Sequence, residues 1–204
     1  MNIYPIPKGG IFTPDNSRPI SLSEFLLKTH EDIPHQRLKK VLEDNKVLNP
    51  NQGGFGEKAG VANPLRTVIL LIEYVLRKSL KLYELFVDVS KAFDKPSRTA
   101  IRLSQKRLGF PNELCEFLEE FDEEAESRVI TAYGPTQFYI VKSGVRQGLR
   151  MSPIRWIIFV DVLLCLLQRI EGAGITITDW KTSTLLIIAN AFIDDLWMCS
   201  LTLI

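Results

Sequence analysis

The sequence predicts an α+β fold in which helices and a mainly antiparallel sheet alternate irregularly. Three observations carry that expectation. Apolar residues recur at helical spacing in Leu65, Val68, Ile69, Ile72, Val75 and Leu76. Tyr83–Ser90 alternates like a strand, with Tyr83, Leu85, Val87 and Val89 on one face and Glu84, Phe86, Asp88 and Ser90 on the other. Two apolar segments, Leu185–Ile193 and Leu196–Leu203, flank Asp194-Asp195 and read as a hairpin.

From the N-terminus, the stretch through Pro19 is rich in Pro, Gly and Asn and reads as loop or short strand. A helical pattern begins after Ser21 or Ser23. Pro34 should kink or break it before it resumes to about Leu48. A glycine-rich loop then runs from Asn49 to Ala62, and Asn63 and Pro64 stand as cap and first residue of the next helix. After the Tyr83–Ser90 strand, Ser97 caps a helix that should stop at Gly109. Leu114, Phe117, Leu118 and Phe121 make the stripe of another. Short strands are expected near Ser127–Ala132 and Thr136–Lys142. Ser152 and Pro153 open a long helix, apolar almost all round and therefore buried.

Composition narrows the function classes. The chain of 204 residues is long enough for a real core, and 46% of it is hydrophobic. A net charge of +1 argues against a dedicated nucleic-acid binder. Acidic residues concentrate between Glu113 and Glu126, so the remainder is basic on balance. With two histidines, a histidine-rich metal site is excluded. Cys115, Cys165 and Cys199 are scattered in apolar surroundings and read as reduced core residues. Ile154–Leu167 and Leu185–Ile204 are apolar, but Arg155, Asp161, Asp194 and Asp195 interrupt them, which favours buried core over a membrane span.

The candidate chemistry lies in three carboxylates. Asp88 sits in a strand otherwise built to be buried and projects from the face opposite the core-facing Val87 and Val89, and Asp194 and Asp195 are adjacent at a tight turn. Adjacent ionised carboxylates repel unless a cation compensates. Mg²⁺ takes a few carboxylates together with phosphate oxygens and water. Each piece alone has an ordinary reading: a solvated edge residue, or a plain turn. Arg98, Arg102 and Lys106 form a basic stripe at helical spacing, read first as a solvated face and second as a nucleic-acid backbone contact.

Order and context join the pieces. Arg18-Pro-Ile-Ser-Leu22, Asn51-Gln-Gly-Gly-Phe55, Phe86-Val-Asp-Val-Ser-Lys-Ala-Phe-Asp94, Gly144-Val-Arg-Gln-Gly148 with Ser152-Pro153, and Phe192-Ile-Asp-Asp195 follow one another along nearly the whole chain. In this order they resemble the blocks of reverse transcriptases of the non-LTR (LINE-type) retrotransposon and group II intron type. The resemblance implies the fingers and palm of the right-hand polymerase fold, with fingers over residues 1–80 and palm over residues 81–204. It implies RNA-directed DNA polymerase activity on an RNA template, a DNA primer and dNTPs, with two Mg²⁺ ions and Mn²⁺ as an alternative.

Carried over residue by residue, Asp88 and Asp194 would ligate both metals, Asp195 would complete the triad, and the Val89 carbonyl would also reach a metal. Phe93 would lie under the incoming sugar, Gln147 near it, and Arg18 and Lys8 would contact the triphosphate. No membrane partner is expected, and a nuclear location would follow for part of an active retrotransposon. Ile193 stands where the family has a small residue before the aspartate pair. The chain ends shortly after Asp195, so the resemblance leaves the thumb missing and no endonuclease at either end. A second reading is therefore a degenerate, non-catalytic fragment with weak nucleic-acid binding. Another two-metal nuclease or transferase ranks third, because it leaves the Arg18-Pro-Ile and Gln147-Gly148 blocks unexplained.

Overall fold

The computed structural model describes residues 1–10, 13–14, 16–54, 60–120, 126–178 and 184–201. In chain order the elements are β1 (Asn2–Pro7), β2 (Ser17–Leu22), α1 (Phe25–Asp44), α2 (Ala62–Arg77), β3 (Tyr83–Asp88), α3 (Arg98–Arg107), α4 (Asn112–Glu120), β4 (Glu126–Thr131), β5 (Gly134–Pro135), β6 (Tyr139–Ile140), α5 (Met151–Leu167), β7 (Ile175–Thr178), β8 (Thr184–Ile187), β9 (Ala189–Phe192) and β10 (Asp195–Ser200). The fold is α+β, as expected. Two compact units interleave along the chain: Met1–Val41 with Lys91–Trp156, and Leu42–Ser90 with Ile157–Ile204.

In the first unit β1 and β2 form an antiparallel hairpin, and β1 also pairs in parallel with β4 through Asn2↔Arg128 and Ile3↔Val129. The strand order is β2-β1-β4-β5, with β6 added on β4. The apolar faces of α3 and α4 supply Ile101, Cys115 and Leu118, all fully buried. Helix α3 begins after Ser97 and ends before Gly109, whose φ of +83° only glycine adopts at little cost. Phe121, expected on the stripe of α4, lies outside the described residues.

Helix α1 corrects the reading of Pro34: it runs unbroken through that residue. A mid-helix proline removes one hydrogen bond and crowds the preceding turn. Contacts on both sides of Pro34 offset that penalty. Buried Glu31 accepts the Arg150 N–H at 3.3 Å, and Asp32 pairs with the Arg150 guanidinium at 3.1 Å. Leu38 follows in the core.

The second unit holds a three-stranded antiparallel sheet, β3-β10-β9, and a separate β7–β8 hairpin. The segment expected as one strand from Leu185 to Ile193 is therefore two strands in different sheets. Leu71 and Val75 of α2 pack on Trp197, Cys199, Ile175 and Ile187 as one apolar cluster. Helix α2 starts at Ala62 after Val61, slightly before the expected Asn63 cap, and Pro64 falls within its first turn, where its missing N–H costs nothing. Strand β3 is an edge strand, so the expectation that it is buried fails: Leu85 is 54% and Phe86 68% exposed.

The long helix α5 is buried over most of its first eleven residues, whereas Leu163 and Leu166 in its last turns are exposed, so the expected burial holds only for its N-terminal part. No helix among the described residues is long and apolar enough to cross a membrane. The cysteines are free; Cys115 and Cys199 are buried. Burial holds the Cys115 thiol above its ordinary value and, with a smaller push from Glu84, raises that of Cys199 to about 12.

Candidate active site

Four residues of the candidate constellation, Asp88, Val89, Asp194 and Asp195, lie in the second unit, and strand pairing relates them two by two. In the β3–β10 ladder Asp195 stands directly opposite Asp88, with Trp197 opposite Phe86 and Cys199 opposite Glu84. Side chains alternate along each strand, so all six share one face of the sheet. Both carboxylates are exposed, while Trp197 and Cys199 are buried under α2 on the same face. The indole of Trp197 donates to a Glu84 carboxylate oxygen at 3.1 Å, which ties β10 to the edge strand.

Hydrogen bonding sharpens the geometry at the aspartates. The Val89 N–H donates to the Asp194 carbonyl at 3.4 Å. Val89 and Asp194 therefore form the bonded pair, and Asp88 with Asp195 the non-bonded pair, in which facing Cα atoms approach to about 4.5 Å. Two like charges are thus held as cross-strand neighbours, an arrangement that is unfavourable without a compensating cation.

Ile193 and Asp194 form the two-residue turn between β9 and β10, whose closing pair is Phe192↔Asp195. Ile193 has φ +56°. Glycine usually fills such a first turn position, and a β-branched residue there costs on the order of 1–2 kcal/mol. Asp194 is half-buried and one residue off the face shared by Asp88 and Asp195. Among the described residues, no three carboxylate, histidine or cysteine side chains converge as a ready metal-ligand set. The donor chemistry, exposed carboxylates facing each other on adjacent strands, fits a hard cation such as Mg²⁺. A cleft of about 450 Å³ opens beside Asp88 and Asp195, walled by Pro64 and Leu65 of α2 and by Phe86, Phe192 and Trp197 of the sheet.

The remaining candidates lie in the first unit. Phe93 is half-buried and stacks on Trp156, with ring centroids 5.8 Å apart and 26° between planes. The Gln147 side-chain amide donates to Asp94 at 3.4 Å, and its backbone carbonyl accepts the Ser21 N–H at 2.7 Å. Val145 N–H donates to the Phe93 carbonyl at 2.8 Å. The Ala-Phe-Asp and Gln-Gly blocks, remote in sequence, are therefore laced together through their backbones. Gly144 makes this possible: its φ is +76°, and a Cβ there would sit 2.3 Å from the Phe93 carbonyl oxygen; Gly148, at φ +108°, lies as close to β2, where a Cβ would sit 2.4 Å from the Ser21 carbonyl oxygen. Arg18 and Lys8 are exposed on the β1–β2 hairpin, Arg18 opposite Ile6 and Lys8 just beyond β1, its N–H on the Asn16 carbonyl at 3.1 Å.

Two of the three residues of the basic stripe on α3, Arg98 and Arg102, are engaged in the fold. Arg102 bonds Glu119 at 2.6 Å and Glu116 at 3.1 Å, and Arg98 donates to the Val141 carbonyl. One residue the sequence reading passed over is Gln52, buried in the loop before α2, whose side chain accepts the Ile193 N–H at 3.1 Å. Its signal was a polar residue at the head of a Gly-Gly pair, in a block noted only for its likeness to a family motif.

Residues 6–202 match the family described as reverse transcriptase (RNA-dependent DNA polymerase). The chain is 32% identical over 196 residues to the retrovirus-related Pol polyprotein from type-1 retrotransposable element R2 of Popillia japonica, covering 94% of this chain and 26% of that protein. Over 183 residues it is 27% identical to the Pol polyprotein from type-2 retrotransposable element R2DM of Drosophila melanogaster, covering 90% and 16%. The mobile element jockey polymerase of that species is 26% identical over 147 residues. The chain thus spans about a quarter or less of the length of these relatives, which are non-LTR retrotransposon proteins. Among solved structures it resembles apo telomerase from Candida tropicalis truncated from its C-terminal domain, with TM-score 0.64 and 16% identity, covering 98% of this chain and 44% of that one. Telomerase from Candida albicans gives TM-score 0.55 at 13% identity, over 85% and 30%. These likenesses show a shared fingers-and-palm fold.

Proposed function

Because the chain belongs to the reverse transcriptase (RNA-dependent DNA polymerase) family, we propose that it carries the catalytic part of a retrotransposon polymerase, adding dNTPs to a primer 3′ end under direction of an RNA template. What supports this reading most is the register that sets Asp88 and Asp195 side by side on one exposed sheet face, with Asp194 in the adjoining turn. Asp88, Asp194 and Asp195, with the Val89 carbonyl, would hold two Mg²⁺ ions. When bound, such ions activate a 3′-hydroxyl for in-line attack on the α-phosphorus and stabilise the leaving pyrophosphate.

The other residues would bind and orient. Phe93, backed by Trp156, offers a flat apolar floor for a sugar. Gln147 would sit beside that sugar, its amide steadied by Asp94. The exposed Arg18 and Lys8 supply positive charge for a triphosphate, and a guanidinium suits phosphate by two parallel hydrogen bonds. In the family's division of labour, residues 1–80 would act as fingers and residues 81–204 as palm. Catalysis in such a site is positioning plus charge stabilisation.

A second reading, a non-catalytic fragment with weak nucleic-acid binding, is favoured by Ile193, whose left-handed backbone strains the turn beside Asp194. Primer extension on an RNA template with Mg²⁺ separates the two. Wild-type chain should incorporate dNTPs, and Asp194→Ala should lower the rate by a factor on the order of 10² or more. Equal incorporation by both would remove the metal-site assignment. Template binding without incorporation by wild type would favour the second reading.

A further inference from the structure

The loop before α2 is built against the turn that carries the aspartates. Asn51, Gln52 and Gly53 run beside β9: Ala191 N–H donates to the Asn51 carbonyl at 2.9 Å, and Gly53 N–H to the Ala191 carbonyl at 2.7 Å. Gln52 and Ala191 form an isolated parallel bridge. The loop is in turn anchored by Asp161 of α5, which is 1% exposed and accepts the Asn49 N–H at 2.6 Å. The Asn49 side chain accepts the Asn51 N–H at 3.0 Å.

At the end of this chain of contacts stands Gln52, 6% exposed. Its Oε1 accepts two N–H groups, from Gly54 at 2.9 Å and from Ile193 at 3.1 Å. Ile193 is the residue held at φ +56°. Gly54 completes the seat: a Cβ on it would lie 2.7 Å from Cγ1 of Ile193. A β-branched residue in a left-handed turn stays there only if its surroundings over-determine it. Here an internal acceptor takes its N–H and a glycine leaves room for its side chain.

We infer that Gln52 is a positioning residue: its side-chain carbonyl locks the Ile193 turn and thereby sets where Asp194 presents its carboxylate relative to the Asp88–Asp195 pair. This rests on the proposed polymerase reading only for its consequence in catalysis. The lock itself is a property of the fold. The partner of Ile193 lies 141 residues away in sequence, so the loop couples the start of α2 to the β9–β10 turn.

The test compares the full chain with Gln52→Met, which keeps length and loses the acceptor, and Gln52→Glu, which keeps an acceptor. Amide hydrogen exchange is followed at Ile193, with Met198 on β10 as reference, and primer extension is titrated with Mg²⁺. In Gln52→Met, exchange at Ile193 should rise at least tenfold relative to Met198. The Mg²⁺ concentration for half-maximal extension should rise at least threefold while the dNTP KM holds, and Gln52→Glu should restore slow exchange. Unchanged exchange at Ile193 in Gln52→Met would overturn the inference, as would faster exchange with an unchanged Mg²⁺ requirement. If wild type extends no primer, the polymerase reading fails, and Mn²⁺ affinity measured by electron paramagnetic resonance replaces the Mg²⁺ titration, with the same threefold criterion. Should Gln52→Met fail to fold, Gly54→Ala crowds both Ile193 and the Gln52 Oε1 that holds its N–H. It should move exchange and metal requirement the same way, and wild-type values for both would contradict the lock.

Discussion

The two units fix their candidate residues by different means. In the second unit, strand register relates Asp88 to Asp195. A slip of one residue would turn one carboxylate to the opposite face, so the ladder itself specifies the pair. In the first unit, Phe93 and Gln147 come from segments with no shared ladder, and backbone hydrogen bonds and close approach hold them. Register tolerates changes of side chain, because the backbone carries the geometry. Close approach does not, because any added atom has nowhere to go. Substitution at the aspartates should therefore abolish chemistry and spare the fold, whereas substitution at the lacing glycine should act on the stability of the fold.

The largest expected effect sharpens the first half of that contrast. Asp88→Asn and Asp195→Asn should each lower primer extension by a factor on the order of 10² or more. Both residues are exposed, so the urea midpoint should barely move. A matching loss of stability would mean that the pair holds the sheet together instead of serving chemistry.

Next is Gly148→Ala. The added Cβ meets the Ser21 carbonyl at 2.4 Å in a backbone that disfavours side chains, and destabilisation of about 2–4 kcal/mol by denaturant titration is expected. Gly172→Ala is the control: its φ is +74° but a Cβ there meets nothing within 4 Å, so about 1 kcal/mol should be lost. Equal losses at the two glycines would break the distinction between close approach and backbone strain alone.

A smaller gain is expected from Ile193→Asn. Asn tolerates the left-handed region better than a β-branched residue, and stability should rise by about 0.5–1 kcal/mol in the same titration. A net loss would show that packing of the Ile193 side chain outweighs its backbone strain.

The smallest effect concerns pH. The folded Cys199 thiol is raised to about 12 by burial, from an ordinary value of 9.0. The folded state therefore keeps its proton after the unfolded chain has lost it. The stability from this group is fully present below pH 9 and is lost progressively as pH rises from 9 toward 12. Cys199→Ala should flatten that part of a denaturation profile, and an unchanged slope would assign it to other groups.

Much of this architecture was legible in the sequence because its signals are local. Ser97 and Gly109 bracket α3, and alternation marked β3. The order of the acidic blocks pointed to the pairing of Asp88 with the β9–β10 turn. What the sequence hid is non-local. Whether β3 is central or an edge depends on which strands join it, and Leu85 looks the same in either case. Pro34 signals a break by itself, yet Glu31, Asp32 and Leu38 hold the helix through it. The lacing of Gln147 to Ser21 and of Gln52 to Ile193 joins residues more than a hundred positions apart, which no spacing rule reaches.

The claim on which the account turns is that a divalent cation settles at the β3–β10 aspartates. Titration of the isotopically labelled chain with trace Mn²⁺, read as paramagnetic broadening of backbone amide resonances, tests it most directly. The account predicts that Asp88, Val89, Asp194 and Asp195 broaden first, and that Asp88→Asn abolishes this order. Broadening that begins instead along the acidic helix α4, at Glu113 to Glu120, with the β3–β10 amides untouched, would contradict it.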